Sequence, residues 1–163
     1  NEVRDLTPFE GVQARVVAVA RKFPNEILVG INKRDARLHD VYRADLTTGD
    51  LTLEVLNDKG FVAWTTDHDL RVRAAVKPTA AGGFELLVRE DADSAWRTLT
   101  IWEPQDALSS GPISFTPDGK GLYILSSSGS NTGELREMDL TTGKEKTLAC
   151  DRQADVARAF IHP

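Results

Sequence analysis

One cysteine occurs in the 163 residues, Cys150, so no internal disulfide can form. That shortage leans towards a reducing compartment and makes the cytoplasm the expected location. The periplasm stays open, because the native N-terminus is not in view. No apolar run approaches the ~18 residues that a membrane span needs, and no signal-peptide pattern opens the chain. Positive charge is not in excess either: 20 Lys and Arg face 25 Asp and Glu, a formal net charge of −5. Such a chain is not expected to take nucleic acid or an anionic membrane as its main partner. Helical patterning is scarce, and only Gln105 to Ser109 and Asp151 to Phe160 are expected to hold a turn or two. Gly82-Gly83 lacks the Lys-Ser or Lys-Thr of a phosphate-binding loop, and no cofactor is expected.

What is present is a folded composition with a repeat. Hydrophobic residues make up 40% and charged residues 28%, which suits a globular chain of one domain. The string Asp-Leu-Thr-Thr-Gly occurs at Asp45 to Gly49 and again at Asp139 to Gly143. Between them, Leu87 to Asp91 echoes Val41 to Asp45, giving a period of about 47 residues. Strand-rich periods of roughly 40 to 50 residues are the mark of β-propeller blades. The expected fold is therefore all-β, a partial propeller of consecutive four-stranded antiparallel blades. A stand-alone β-sandwich is the alternative.

The chain parses as one partial propeller domain over residues 1–163. Residues 1–12 would be the outer strand of a preceding blade, with its core at Glu2 to Leu6. Residues 13–58, 59–104 and 110–151 would each be a blade. Residues 155–163 would be the inner strand of a following one. Leu51, Leu53 and Val55 alternate with Thr52 and Glu54, and Leu99 and Ile101 with Thr98 and Thr100, the period of a half-buried strand. Closure is what removes sheet edges, and closed propellers generally hold about four blades or more. The chain is thus expected to be a piece of a larger propeller. Its end blades would expose Val16, Val17 and Val19 on one side and Val156 and Phe160 on the other, so self-association is expected.

Arg4 to Val12, Leu38 to Leu46 and Gly60 to Trp64 carry a family resemblance. They resemble the N-terminal propeller of bacterial prolyl-oligopeptidase-family serine peptidases. The Thr-Pro-Asp-Gly-Lys turn at Thr116 to Lys120 also suits TolB-like propellers. The resemblance implies a noncatalytic propeller that gates the access of short peptides to a C-terminal α/β-hydrolase domain. That partner domain carries a Ser-Asp-His triad and is absent from this chain. A TolB-like binding or scaffolding propeller is the alternative function.

No catalytic residue can be carried over. The hydrolase nucleophile needs Gly-x-Ser-x-Gly between a strand and a helix. The nearest string, Gly129 to Gly133, has Asn131 at its centre. Ser126, Ser127 and Ser128 read as strand end and loop. Asp67-His68-Asp69 holds ligand-type residues, yet it occupies the turn that Thr116 to Gly119 occupies one blade later, and turn chemistry is the expectation rather than a metal site. Trp64 and Trp102 are expected to pack between blades, and Trp96 to sit partly exposed in a polar loop. The segment from Lys33 to Asp40 reads as a charged connection. Within it Arg34, Asp35, Arg37 and His39 are the candidate rim or partner-contact residues. His162 lies in the terminal segment.

Overall fold

The computed structural model describes residues 4–161 and holds twelve strands in three sheets. The first sheet is β1 (Ala14–Val19), β2 (Glu26–Asp35), β3 (Leu38–Asp45) and β4 (Leu51–Val55). The second is β5 (Ala63–Thr66), β6 (Val72–Pro78), β7 (Phe84–Val88) and β8 (Arg97–Trp102). The third is β9 (Gly111–Phe115), β10 (Gly121–Ser126), β11 (Glu134–Asp139) and β12 (Glu145–Ala149). Within each sheet the strands pair antiparallel in chain order. These are three consecutive blades of a partial β-propeller, as the repeat implies. The chain divides into two compact units, Asn1–Val62 and Ala63–Pro163.

The unit Ala63–Pro163 contains the second and third blades and one shared core. Ala74, Val76, Leu86, Val88 and Trp102 of one sheet pack with Phe115, Leu122, Ile124 and Met138 of the other. Alternation of side chains puts these residues on one face of each meander. Trp102 meets its expectation as a packing residue between blades. The smaller unit has its own cluster, in which Val29, Ile31 and Ala44 are backed by Phe9, Val12 and Tyr42.

The repeated motif explains the reversals. Asp45 accepts hydrogen bonds from the backbone N–H groups of Thr47 and Thr48 at 2.7 and 2.9 Å. Asp139 does the same for Thr141 and Thr142, and Asp91 for Asp93 and Ser94. An aspartate side chain that satisfies the next two amides is a local turn-maker. Gly49 and Gly143 then take φ of +80° and +69°, a region that glycine enters without steric cost. Each of the three carboxyls is held below the usual carboxylate range. The Thr48 amide is the main cause for Asp45, the Ser94 hydroxyl for Asp91 and the Thr142 amide for Asp139.

Leu70 marks a departure from glycine logic. It closes the β5–β6 turn at φ 57°, where Gly119 stands in the corresponding β9–β10 turn at φ +68°. A left-handed leucine costs roughly 1–2 kcal/mol. Leu70 is fully buried, and burying that side chain contributes about 1.5–3 kcal/mol, which offsets the strain.

Several expectations need correcting. Leu53 and Ile101 were expected on the covered face, yet both are half-exposed. The β3–β4 register shifts between Val41 and Tyr42, and the β7–β8 register between Leu86 and Leu87, and such irregularities break the period of two. Residues 4–12 of the expected outer strand form no strand, nor do residues 155–161 of the expected inner one. An extended segment becomes a strand only by pairing, and among the described residues no strand pairs with either. Glu2, Val3, His162 and Pro163 lie outside the described residues. The helical turn near Gln105 is a short 3₁₀ segment, Ala107–Ser109, while residues 151–160 contain none.

Two outcomes follow from this packing. Ile124→Ala should cost about 2–5 kcal/mol, because it empties a fully buried site. Leu148→Ala, on the solvent-washed strand β12, should cost within about 0.5 kcal/mol. Urea unfolding followed by tryptophan fluorescence checks both. The three turn carboxyls are depressed in the fold, so their stabilisation is complete above pH ~4 and is lost as pH falls through their lowered values. Asp45→Asn with Asp139→Asn keeps the capping oxygens but removes the titration. The double variant should show a flatter acid limb when unfolding midpoints are compared from pH 7 to 3.

Candidate functional site

The four charged residues singled out in the sequence sit on the β2–β3 hairpin of the smaller unit. Pairing of Asp35 with Leu38 leaves only Ala36 and Arg37 in the turn. The expected loop is therefore two strand ends and a tight reversal. This happens because the continuous buried run of β2 extends into Asn32, whose amide oxygen accepts from the Gln13 N–H at 2.6 Å and whose amide nitrogen donates to the Ala36 carbonyl at 3.0 Å. The side chain thus carries the strand through its polar end.

Arg34 faces inward to a buried carboxylate. Its Nε and Nη2 donate to the two oxygens of Asp40, each at 2.9 Å. Nη2 also donates to the Asn57 carbonyl at 2.8 Å. Asp40 is only 1% exposed and accepts a further bond from the Asn57 N–H at 2.7 Å. Asn57 in turn exchanges bonds with Phe61, donating from its amide at 2.8 Å and accepting the Phe61 N–H at 2.9 Å. A buried carboxylate needs such compensation, and a two-pronged guanidinium supplies it with fixed geometry. The Asp40 hydrogen bonds keep the Arg34 guanidinium protonated above its ordinary range. Arg34 therefore ties the hairpin to the exit of β4.

Asp35 and Arg37 form the turn itself. Asp35 accepts the Arg37 N–H at 2.9 Å, and the Arg37 guanidinium closes on the same carboxylate. The Arg37 side chain and then its amide hold the Asp35 carboxyl below the usual range. Arg37 is 86% exposed and is the cation this hairpin presents to solvent. His39 is half-buried, and burial followed by the Arg15 guanidinium pushes its pKa below the ordinary histidine value. Its ring is uncharged at neutral pH. Of the four residues, Arg37 is free to contact a ligand, Asp35 orients it, His39 offers a neutral ring, and Arg34 is committed to the fold.

The other candidates resolve as structure. Asp67 accepts the N–H groups of Asp69 and Arg71, at 2.9 and 3.0 Å, so its carboxylate shapes the turn. Ser127 donates its hydroxyl to Asp106 at 2.8 Å, and Ser126 is fully buried. Trp96 is half-buried in the loop before β8, as expected, with its centroid 6.4 Å from Trp64 and the Arg89 guanidinium 4.7 Å above it. Sequence reasoning missed Asp40 and Asn57, which lie 17 residues apart. The only signal was a polar residue in the middle of a strand otherwise bound for the core.

Asp40→Ala should destabilise the smaller unit by about 2–3 kcal/mol, since charge-assisted bonds to a buried acceptor are lost. Arg34→Ala should lower the melting temperature clearly more than Arg37→Ala, because only Arg34 neutralises a buried carboxylate. Equal shifts in the two arginine variants would mean that the clamp is not the stabilising feature.

No family profile matches the chain. It is 37% identical over 162 residues to dipeptidyl aminopeptidase BIII of Pseudoxanthomonas mexicana, covering 99% of this chain and 23% of that protein. It is 25% identical over 147 residues to dipeptidyl peptidase family member 6 of Caenorhabditis elegans, covering 84% of this chain and 20% of that protein. The chain thus spans about a quarter or less of the curated relatives it matches. Among solved structures, one from a study of two prolyl endopeptidases superposes with a TM-score of 0.58 at 14% identity, covering 87% of this chain and 20% of the other. TolB of Acinetobacter baumannii superposes with a TM-score of 0.54 at 20% identity, covering 78% of this chain and 30% of the other. In sequence along nearly its whole length, and in its consecutive four-stranded blades, the chain resembles the propeller region of prolyl-oligopeptidase-family serine peptidases.

Proposed function

We propose that this chain is a noncatalytic propeller segment of a serine peptidase. In this reading its blades wall the path by which short peptides reach a hydrolase domain elsewhere in the same polypeptide. The observation that carries the reading is the 37% identity over 162 residues to a dipeptidyl aminopeptidase. The geometry supports it, because the polar side chains at the strand ends are spent on turns and clamps rather than arranged around a nucleophile. Selection by such a wall is steric: a folded protein is excluded and an extended peptide passes. The exposed hairpin of Asp35, Arg37 and His39 is the proposed contact for the partner domain or for a peptide at the rim. Val16 and Val19 of β1, 61% and 71% exposed, are the proposed surface for a neighbouring sheet, or for a second copy when that neighbour is missing. Exposed Cys150 keeps the cytoplasm as the proposed compartment.

A second reading follows from the superposition on TolB. There the chain is a binding or scaffolding propeller with no hydrolase attached. The two readings differ in what the full-length protein does. If the peptidase reading holds, the full-length protein should hydrolyse dipeptidyl chromogenic substrates and spare long peptides. Opening the propeller by deleting residues 1–163 should relax that size limit. A full-length protein without peptidase activity towards substrates of any length would overturn the reading and leave the scaffold.

A further inference from the structure

Between the two sheets of the unit Ala63–Pro163 lies a cavity of about 440 Å³ with an uneven charge. Arg73, Arg89, Arg97 and Lys120 line it, against the single carboxylate of Glu90. Four cations to one anion is a local reversal in a chain that carries 25 acidic and 20 basic residues. The placement follows from topology. The turns β5–β6, β7–β8, β9–β10 and β11–β12 all fall at the same end of their meanders, and these residues flank those four turns.

Backbone carbonyls hold each of the three arginines in place. Arg73 donates to the Gly119 carbonyl at 3.2 Å and to the Arg89 carbonyl at 3.3 Å, and its guanidinium lies 4.8 Å over the Phe115 ring. Arg89 is buried and donates to the carbonyls of Val72 and Ala92 at 2.9 and 2.8 Å. Arg97 donates from Nη2 to the Leu140 carbonyl. A carbonyl positions a guanidinium without cancelling its charge. Arg73 pairs with Asp67 at 3.9 Å, Asp91 lies within electrostatic reach of Arg89 and Asp118 of Lys120, while among the described residues Arg97 and Lys120 form no ion pair. Arg97 spends one of its five N–H donors on the fold, and Thr141 adds a hydroxyl at the cavity wall. Like charges held together in a partly enclosed space raise the local potential and favour a counter-anion.

We propose that this cavity is a binding site for a small doubly charged oxyanion. Phosphate and a short dicarboxylate share the required chemistry: several oxygens that accept guanidinium donors in two-pronged fashion, with negative charge to set against the basic lining. The site is independent of the peptidase reading, since it needs nothing outside residues 63–163.

Isothermal titration of the purified chain with sodium phosphate, sodium succinate and sodium chloride, at matched ionic strength, tests this. Saturable one-to-one binding of phosphate, of succinate or of both is expected, and which ion binds identifies the source of the oxyanion. Lys120→Ala should weaken that binding about fivefold, the effect of removing one nearby charge, and Glu90→Gln should tighten it. Among the described residues the Lys120 side chain makes no hydrogen bond, so its loss should leave the circular dichroism spectrum unchanged. No saturable binding of either oxyanion at tens of millimolar would overturn the proposal. So would equal binding of chloride, or an affinity unaltered in Lys120→Ala.

Discussion

A four-stranded meander has an apolar face that it cannot cover by itself, and the larger unit is organised by the way two meanders solve that problem together. Trp102, Leu86 and Ala74 of one sheet meet Phe115, Ile124 and Met138 of the other, and water is excluded between them. Burial of this kind is the main favourable term in folding and fixes which face of each strand points inward. Once the faces are committed, the strand ends are what remain for other purposes. Arginines of one sheet then reach the turn carbonyls of its neighbour, Arg73 at Gly119 and Arg97 at Leu140. The charged end of the unit is thus a by-product of packing that evolution could turn to binding.

The smaller unit obeys the same rule with a polar twist. Its hairpin is anchored by a carboxylate that would be costly to bury alone, and Arg34 and Asn57 offset that cost through three hydrogen bonds to Asp40. Arg37 closes the turn on Asp35 and still presents most of its side chain to solvent. Division of labour between neighbouring charges on one hairpin is what allows a rigid scaffold to present a variable contact surface.

Strand order and turn position were legible because local chemistry specifies them. Asp45, Asp91 and Asp139 each cap two amides within three residues, so the information lies within a few residues of the turn. Features that depend on partners distant in sequence were not legible. Asp40 meets Asn57 only after β3 pairs with β4, and Arg73 meets Gly119 only after two sheets stack, 46 residues on. Leu53 and Ile101 misled because a register shift in the ladder cannot be seen in a run of alternating residues.

The central proposal is that this chain builds a wall for chemistry done elsewhere in its polypeptide. Labelling of reactive serine with a fluorophosphonate tests it most directly, applied side by side to the isolated chain and to the full-length protein. The account predicts one stoichiometrically labelled serine in the full-length protein, mapping outside residues 1–163, and none in the isolated chain. A labelled serine within residues 1–163, abolished by its replacement with alanine, would contradict it.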